Sequence, residues 1–154
     1  MPTRLPIRAS ATARLAATVD LPPGTGDVQL SLVQKAKPDG AIIVSTPQDL
    51  ALIDATRAID LFSKTGVPVL GLIENMAGYA CPHCGETSDP FGAAAAEASA
   101  AAQGVAFLGR LPLSASLRIA SDAGRPPAAD GGPAGDAFAE LARRLLSQLE
   151  IIAA

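Results

Sequence analysis

The sequence is short of the residues that usually staple, stack or anchor a protein. It has no tryptophan, one tyrosine and four phenylalanines, so aromatic residues fill only 3% of its 154 positions. Two cysteines, Cys81 and Cys84, exclude a disulfide-stapled scaffold. No uncharged apolar run approaches the roughly 20 residues needed to cross a bilayer, which excludes a transmembrane reading. Bases are outnumbered, 12 Lys and Arg against 15 Asp and Glu, and the net charge of −3 argues against coating nucleic acid or an acidic membrane. What is present is 49% hydrophobic residues with only 18% charged, which excludes a disordered tail or a charged coil. A chain of this length and composition is one ordinary domain able to bury a sizeable core.

Charge is uneven along the chain. Residues 1–19 carry Arg4, Arg8 and Arg14 with no acidic residue, a composition that an organelle transit peptide can have. Pro2 and Pro6 interrupt any long amphipathic helix there, which favours a plain, unpatterned leader. From Val19 onward strands and helices alternate. The runs 41–46 (AIIVST), 67–73 (VPVLGLI) and 105–109 (VAFLG) are short, apolar and rich in β-branched residues, as expected for strands covered on both faces. Between them, 48–64 places Leu52, Ala55, Ile59 and Phe62 on one helical face, and 91–103 is rich in alanine. A last helix is expected over 136–151, with Phe138, Leu141, Leu145, Leu146 and Leu149 at helical spacing. The stretch 124–135 (GRPPAADGGPAG) reads as a loop. The order and lengths predict an α/β fold, a mostly parallel sheet flanked by helices.

Two short segments can carry chemistry. In 20–27 (DLPPGTGD), Asp20 closes an expected strand and a glycine-rich turn leads into a helix. That arrangement suits magnesium on the carboxylate and a phosphate against backbone N–H groups. A plain strand-to-helix turn, stiffened by Pro22 and Pro23 and capped by Asp27, explains the same residues. The second segment is 81–85 (CPHCG), whose two thiols suit half of a zinc site, half of an iron–sulfur site or a redox dithiol. The redox reading is the weakest, because a thioredoxin-type pair opens a helix early in its fold, whereas this one follows a strand and sits in a loop. A four-thiolate site would have to be shared by two chains, and a two-fold dimer supplies it directly. His83 lies between the cysteines and is the only histidine, so any histidine acid–base chemistry depends on it.

The segments 20–35, 40–85 and 107–126, with DLPPGTGD, TPQD, ENM and CPHCG in this order, resemble the Mrp/ApbC iron–sulfur carriers of the MinD/ParA-like P-loop ATPases. The resemblance covers about two-thirds of the chain and implies an incomplete P-loop NTPase-like fold. On it, residues 20–151 are the C-terminal part of a carrier domain and 1–19 an unmatched, unstructured leader. Asp20 matches the Walker B aspartate that orients Mg²⁺, Gly24 the switch glycine that senses the γ-phosphate, and Asn75 the asparagine that bonds the adenine of ATP. Cys81 and Cys84 match the pair that holds a [4Fe–4S] cluster across a homodimer. The implied function is to carry that cluster, in the cytoplasm, to apo iron–sulfur proteins. No GKGGVGKS/T-type Walker A loop occurs in these residues, so ATP hydrolysis is expected to be impaired. In such folds the Walker A strand lies between the Walker B strand and the next one, so its loss leaves flanking strands as open edges and predicts marginal stability. The competing class is a non-catalytic fragment or half of a split protein that acts as an interaction module. A positioning ATPase of the MinD/ParA type explains neither CPHCG nor a C-terminal helix whose only bases are Arg143 and Arg144. Zinc in place of iron–sulfur stays open.

Overall fold

The computed structural model describes residues 17–21, 26–126 and 132–152. The leader over 1–16 and the switch glycine Gly24 therefore lie outside the described residues. In chain order the elements are α1 (Asp27–Ala36), β1 (Ala41–Ser45), α2 (Asp49–Lys64), β2 (Val69–Glu74), β3 (Tyr79–Ala80), β4 (Thr87–Ser88), α3 (Ala95–Gln103), β5 (Phe107–Arg110), α4 (Ala115–Asp122) and α5 (Gly132–Ile152). Strands β1, β2 and β5 form one parallel sheet in that spatial order, and β3 pairs antiparallel with β4.

The three apolar runs become the three parallel strands, and helices cover both faces, as the α/β reading predicts. On one face Ala41 and Ile43 of β1 and Leu72 of β2 pack against Ala55, Ile59 and Phe62 of α2 and Ala96 and Ala100 of α3. Ala96 and Ala100 are fully buried, four residues apart, and their small side chains let α3 lie close on the sheet. On the other face Ile42, Ile73 and Leu108 meet Ala137, Phe138, Leu141 and Leu145 of α5. Each large aliphatic side chain removed from water in these layers stabilises the fold by roughly 1.5–3 kcal/mol. Leu146, expected on the same stripe of α5, is exposed.

Other expectations need correction. Residues 17–20 form no strand, and Asp20 is exposed in irregular chain. A strand needs a neighbour to take up its N–H and C=O groups. The stretch RLAATV also lacks the continuous apolar run that would hold a strand between two layers. Helix α1 follows as expected, but its N-cap is Gly26, without a side-chain cap, and Asp27 sits inside the first turn, where its charge suits the helix dipole. The alanine-rich helix starts at Ala95 rather than 91, because Gly92 and Ala94 both take positive φ values, 97° and 58°. Helix α5 starts at Gly132 rather than 136, with Pro133 in its first turn, where the missing N–H costs nothing. The segment 132–135 is thus helix and not loop.

Candidate functional site

The parallel strands end at Ser45, Glu74 and Arg110, and ligand sites in open α/β sheets form beyond such carboxyl ends. Two of the expected site groups leave from this end on one continuous stretch of chain. The Asn75 N–H donates to the Ser45 carbonyl at 2.7 Å, which continues the β1–β2 ladder by one step. Its side-chain Oδ1 accepts the Met76 N–H at 2.9 Å. Met76 then takes a left-handed conformation, φ 58°, and Gly78 another, φ 73°, so the chain turns sharply into β3. The base of the β3–β4 hairpin is tied to the tail of β5: Ala77 N–H donates to the Leu111 carbonyl at 2.9 Å, and Leu113 N–H to the Gly78 carbonyl at 2.8 Å.

Cys81 and Cys84 sit at the tip of this hairpin, both as free thiols, Cys81 partly covered and Cys84 exposed. A Cys81 N–H to Glu86 carbonyl bond of 2.9 Å closes the hairpin end, and Gly85 N–H to Cys81 carbonyl, 2.8 Å, forms the turn between the cysteines. Gly85 takes φ 75°, a conformation that favours glycine. The turn has an electrostatic consequence. Backbone N–H groups of Cys84 and His83 bond the Cys81 sulfur, with the Cys84 side chain adding a third, and together they hold its pKa below the usual thiol value. Because the shift favours the thiolate in the folded chain, alkylation of Cys81 followed against pH should show a lower midpoint in the native protein than in urea. Mass-spectrometric peptide mapping checks it, and equal midpoints would contradict the turn geometry. Among the described residues no cluster of three or more His, Cys, Asp or Glu side chains could hold a metal ion. One chain therefore offers two thiols at an exposed tip. His83 is exposed and contributes its backbone N–H to Cys81; its imidazole is given no part in the site.

Beneath the hairpin lies a group of residues that the sequence did not single out. Glu74, almost fully buried, ends β2 and accepts the Ala96 N–H of α3 at 3.1 Å through Oε2. This carboxylate caps α3 from a distance and does for Ala96 what a capping side chain at Ala94 cannot do. Its Oε1 lies 3.5 Å from Nε of Arg110, at the end of β5, whose guanidinium also pairs with Glu97 and stacks on Phe107 at 5.1 Å. With Ala77, Gly78, Asp89, Ala93 and Ala94, Glu74 and Arg110 line a cleft of about 270 Å³ between the hairpin and α3. A strand-ending carboxylate and a strand-ending guanidinium, in IE at 73–74 and GR at 109–110, were the only signals of this clamp. Arg110 is 42% exposed, which weakens its pairing with Glu74 by solvent screening. Arg110→Ala should still lower stability by about 2 kcal/mol, below the full cost of stranding a buried charge. Urea denaturation measures it, and a change under 0.5 kcal/mol, the usual scale of surface substitutions, would sink the clamp. A larger opening of about 370 Å³, lined by Ile59, Ser63, Gly66 and Val105 among others, lies at the opposite end of the strands and holds none of the expected site residues.

Asp20 is the outlier. It is exposed, whereas the adjacent Leu21 packs against the core layer beneath α2 and α3.

Comparison with known proteins agrees with this geometry. The profile of a family described as "ParA: NUBPL iron-transfer P-loop NTPase" matches residues 16–146. The chain is 47% identical over 134 residues to an Arabidopsis thaliana protein named "Iron-sulfur protein required for NADH dehydrogenase, mitochondrial", covering 86% of this chain and 43% of that one. It is 45% identical over 135 residues to the "Iron-sulfur cluster carrier protein" of Pyrococcus horikoshii, covering 87% of this chain and 46% of that one. Among solved structures, a nucleotide-binding protein from Archaeoglobus fulgidus in complex with ADP superposes with a TM-score of 0.60 at 44% identity, over 68% of this chain and 43% of that one. The cell-division ATPase MinD of Pyrococcus furiosus, at 21% identity and a TM-score of 0.53 over 71% of this chain and 43% of that one, shares the fold. The chain spans a little under half the length of the curated relatives it matches. With a parallel sheet between helical layers and a CPHC hairpin beyond its carboxyl end, the chain belongs to the NUBPL-type iron-transfer P-loop NTPase family.

Proposed function

We propose that this chain carries an iron–sulfur cluster, held as cargo by Cys81 and Cys84 of two copies and passed on to apo-proteins. The observation that carries the reading is the pair of free thiols at an exposed hairpin tip, with the pKa of one of them lowered by the backbone N–H groups of the turn. Thiolate is the form that ligates iron. Residues 82–90 are all exposed, so the tip is open to a two-fold partner that brings its own pair and completes a four-thiolate set. A [4Fe–4S] cluster takes four such ligands, and exposure of the tip suits release to an acceptor. A reducing compartment follows from the thiols, with cytoplasm as the simplest one. Among the described residues no helix is long and apolar enough to cross a membrane. Relatives named as iron–sulfur carrier and transfer proteins support the reading.

Nucleotide enters this reading through Asn75, Asp20 and Gly24. Asn75 stands beyond the sheet end, where its amide could bond an adenine ring. Asp20 would hold magnesium and the Gly24 N–H would meet a γ-phosphate. Anaerobic reconstitution with iron and sulfide tests the main proposal: the protein should turn brown and hold one cluster per two chains, with Mössbauer spectra of the [4Fe–4S] type. A colourless protein with one zinc per two chains would assign the site to zinc instead.

A second reading, a non-catalytic interaction module, is favoured by one observation: the outer edge of β1 is unpaired among the described residues.

A further inference from the structure

Spacing alone leaves a redox dithiol the weakest reading of 81–85, because no helix opens beside the first thiol. The hairpin tip supplies the same electrostatics within a single turn. Pro82 carries no N–H and biases Cys81 towards extended backbone, the conformation of a helix N-cap. The next two N–H groups, of His83 and Cys84, bond the Cys81 sulfur. They stand two and three residues after it, where an N-cap side chain finds its donors in a helix. Gly85, at φ 75°, folds the chain back so that its N–H meets the Cys81 carbonyl. The Cys84 side chain is thereby brought onto the Cys81 sulfur itself. Side chains that meet are what a disulfide demands of its two cysteines. The chain has no other cysteine, and Cys84 is exposed at the tip. Among the described residues no His, Asp or Glu joins the two thiols in a ligand cluster, so within one chain they have each other.

We propose that Cys81 and Cys84 are a dithiol that reacts with low-molecular-weight disulfides and closes to an internal disulfide, which withholds the site from iron. Cys84, the more exposed thiol, gives its proton to solvent and attacks one sulfur of the small disulfide. A bond forms to the Cys84 sulfur, the small molecule's own S–S bond breaks, and one thiolate leaves and takes up a proton. Cys81, as thiolate, then attacks the Cys84 sulfur, and the second small thiolate leaves in the same way. The chain loses two electrons and two protons, and the small disulfide becomes two thiols. Neither sulfur of the closed pair is a thiolate, the form that ligates iron. The exchange itself is independent of the carrier reading; its consequence for the cargo rests on that reading.

The test treats the full chain, reduced and freed of metal, with oxidised glutathione in the absence of oxygen, and follows intact mass and alkylation of the remaining thiols. The expected product is a single chain two hydrogens lighter, with no glutathione attached and no thiol to alkylate until dithiothreitol is added. Cys81→Ser should stop at a mixed disulfide between glutathione and Cys84, located by peptide mapping. Ring closure should run roughly tenfold or more faster in the folded chain than in urea, because the turn holds the two sulfurs together. A lasting glutathione adduct on the parent, a disulfide between two chains, unreacted thiols, or closure no faster than in urea each overturn the proposal. Cobalt(II), read by thiolate-to-metal absorption, reports the consequence: the reduced chain should bind it, and the oxidised chain only after reduction and desalting. Cobalt absorption in the oxidised chain refutes the withholding of the site. A reduced chain that takes neither cobalt nor cluster removes the carrier reading, with the exchange itself still standing.

Discussion

Cys81→Ser should abolish cluster binding outright, and Cys84→Ser should do the same. The expected result is loss of the brown absorbance after anaerobic reconstitution, from one cluster per two chains to none, with the hairpin still folded. Two chains bring four thiolates, so a substitution at either position removes two of the four by symmetry. A serine hydroxyl, with its far higher pKa, does not replace a thiolate on iron at neutral pH. The two positions are not equivalent in detail. The Cys81 sulfur receives N–H groups from His83 and Cys84, so a serine oxygen there can accept the same bonds and keep the turn. Cys84 is exposed and its side chain supports Cys81, so its replacement also removes one stabiliser of the remaining thiolate. Circular dichroism and the urea midpoint should stay within about 0.5 kcal/mol of the parent for both variants, as for surface substitutions generally. A variant that keeps half or more of its cluster would show that the ligands come from elsewhere, and the carrier reading would fall with it.

The residues differ in how far the sequence revealed them, and the reasons are physical. β1 and β2 were legible because continuous β-branched runs have few other ways to be satisfied than burial on both faces. α2 was legible because Leu52, Ala55, Ile59 and Phe62 repeat at helical spacing over about three turns. α4 went unpredicted although its signals were present: Ser114 caps it by accepting the Leu117 N–H at 3.2 Å, and Gly124 takes φ 69° just past its end. It buries no side chain, so no apolar stripe drew attention to it. The CPHC knuckle was plain from spacing, but the hairpin beneath it was not. Its strands are two residues each and depend on bonds to 111–113, far away in sequence. The Glu74–Arg110 clamp was invisible for the same reason, since two residues that merely end strands become partners only once β2 and β5 lie side by side. The expected strand before Asp20 failed in the opposite direction. A strand exists only with a neighbour, and the described part of the sheet provides none beside residues 17–20.

That geometry sets the expectation for catalysis. Supplied with ATP and magnesium, the purified chain should release phosphate at a rate indistinguishable from a protein-free control, and Asp20→Asn should change nothing. Phosphoryl transfer is accelerated almost entirely by positioning and by neutralising charge on the phosphates. Loss of a single preorganised donor typically costs about 10²–10³ in rate, and the Walker A loop would supply several along with a lysine. The lysines of this chain cannot substitute. Lys35 lies in the last turn of α1, Lys37 is its C-cap, and Lys64 lies in the last turn of α2, all at helix C-termini. There the exposed carbonyls and the negative end of the dipole repel a phosphate, which is instead held at helix N-termini. Asp20, exposed in irregular chain, belongs to no strand of the described sheet that would hold its carboxylate against a bound phosphate and magnesium. Turnover that disappears in the Asp20→Asn variant of the chain alone would refute this account.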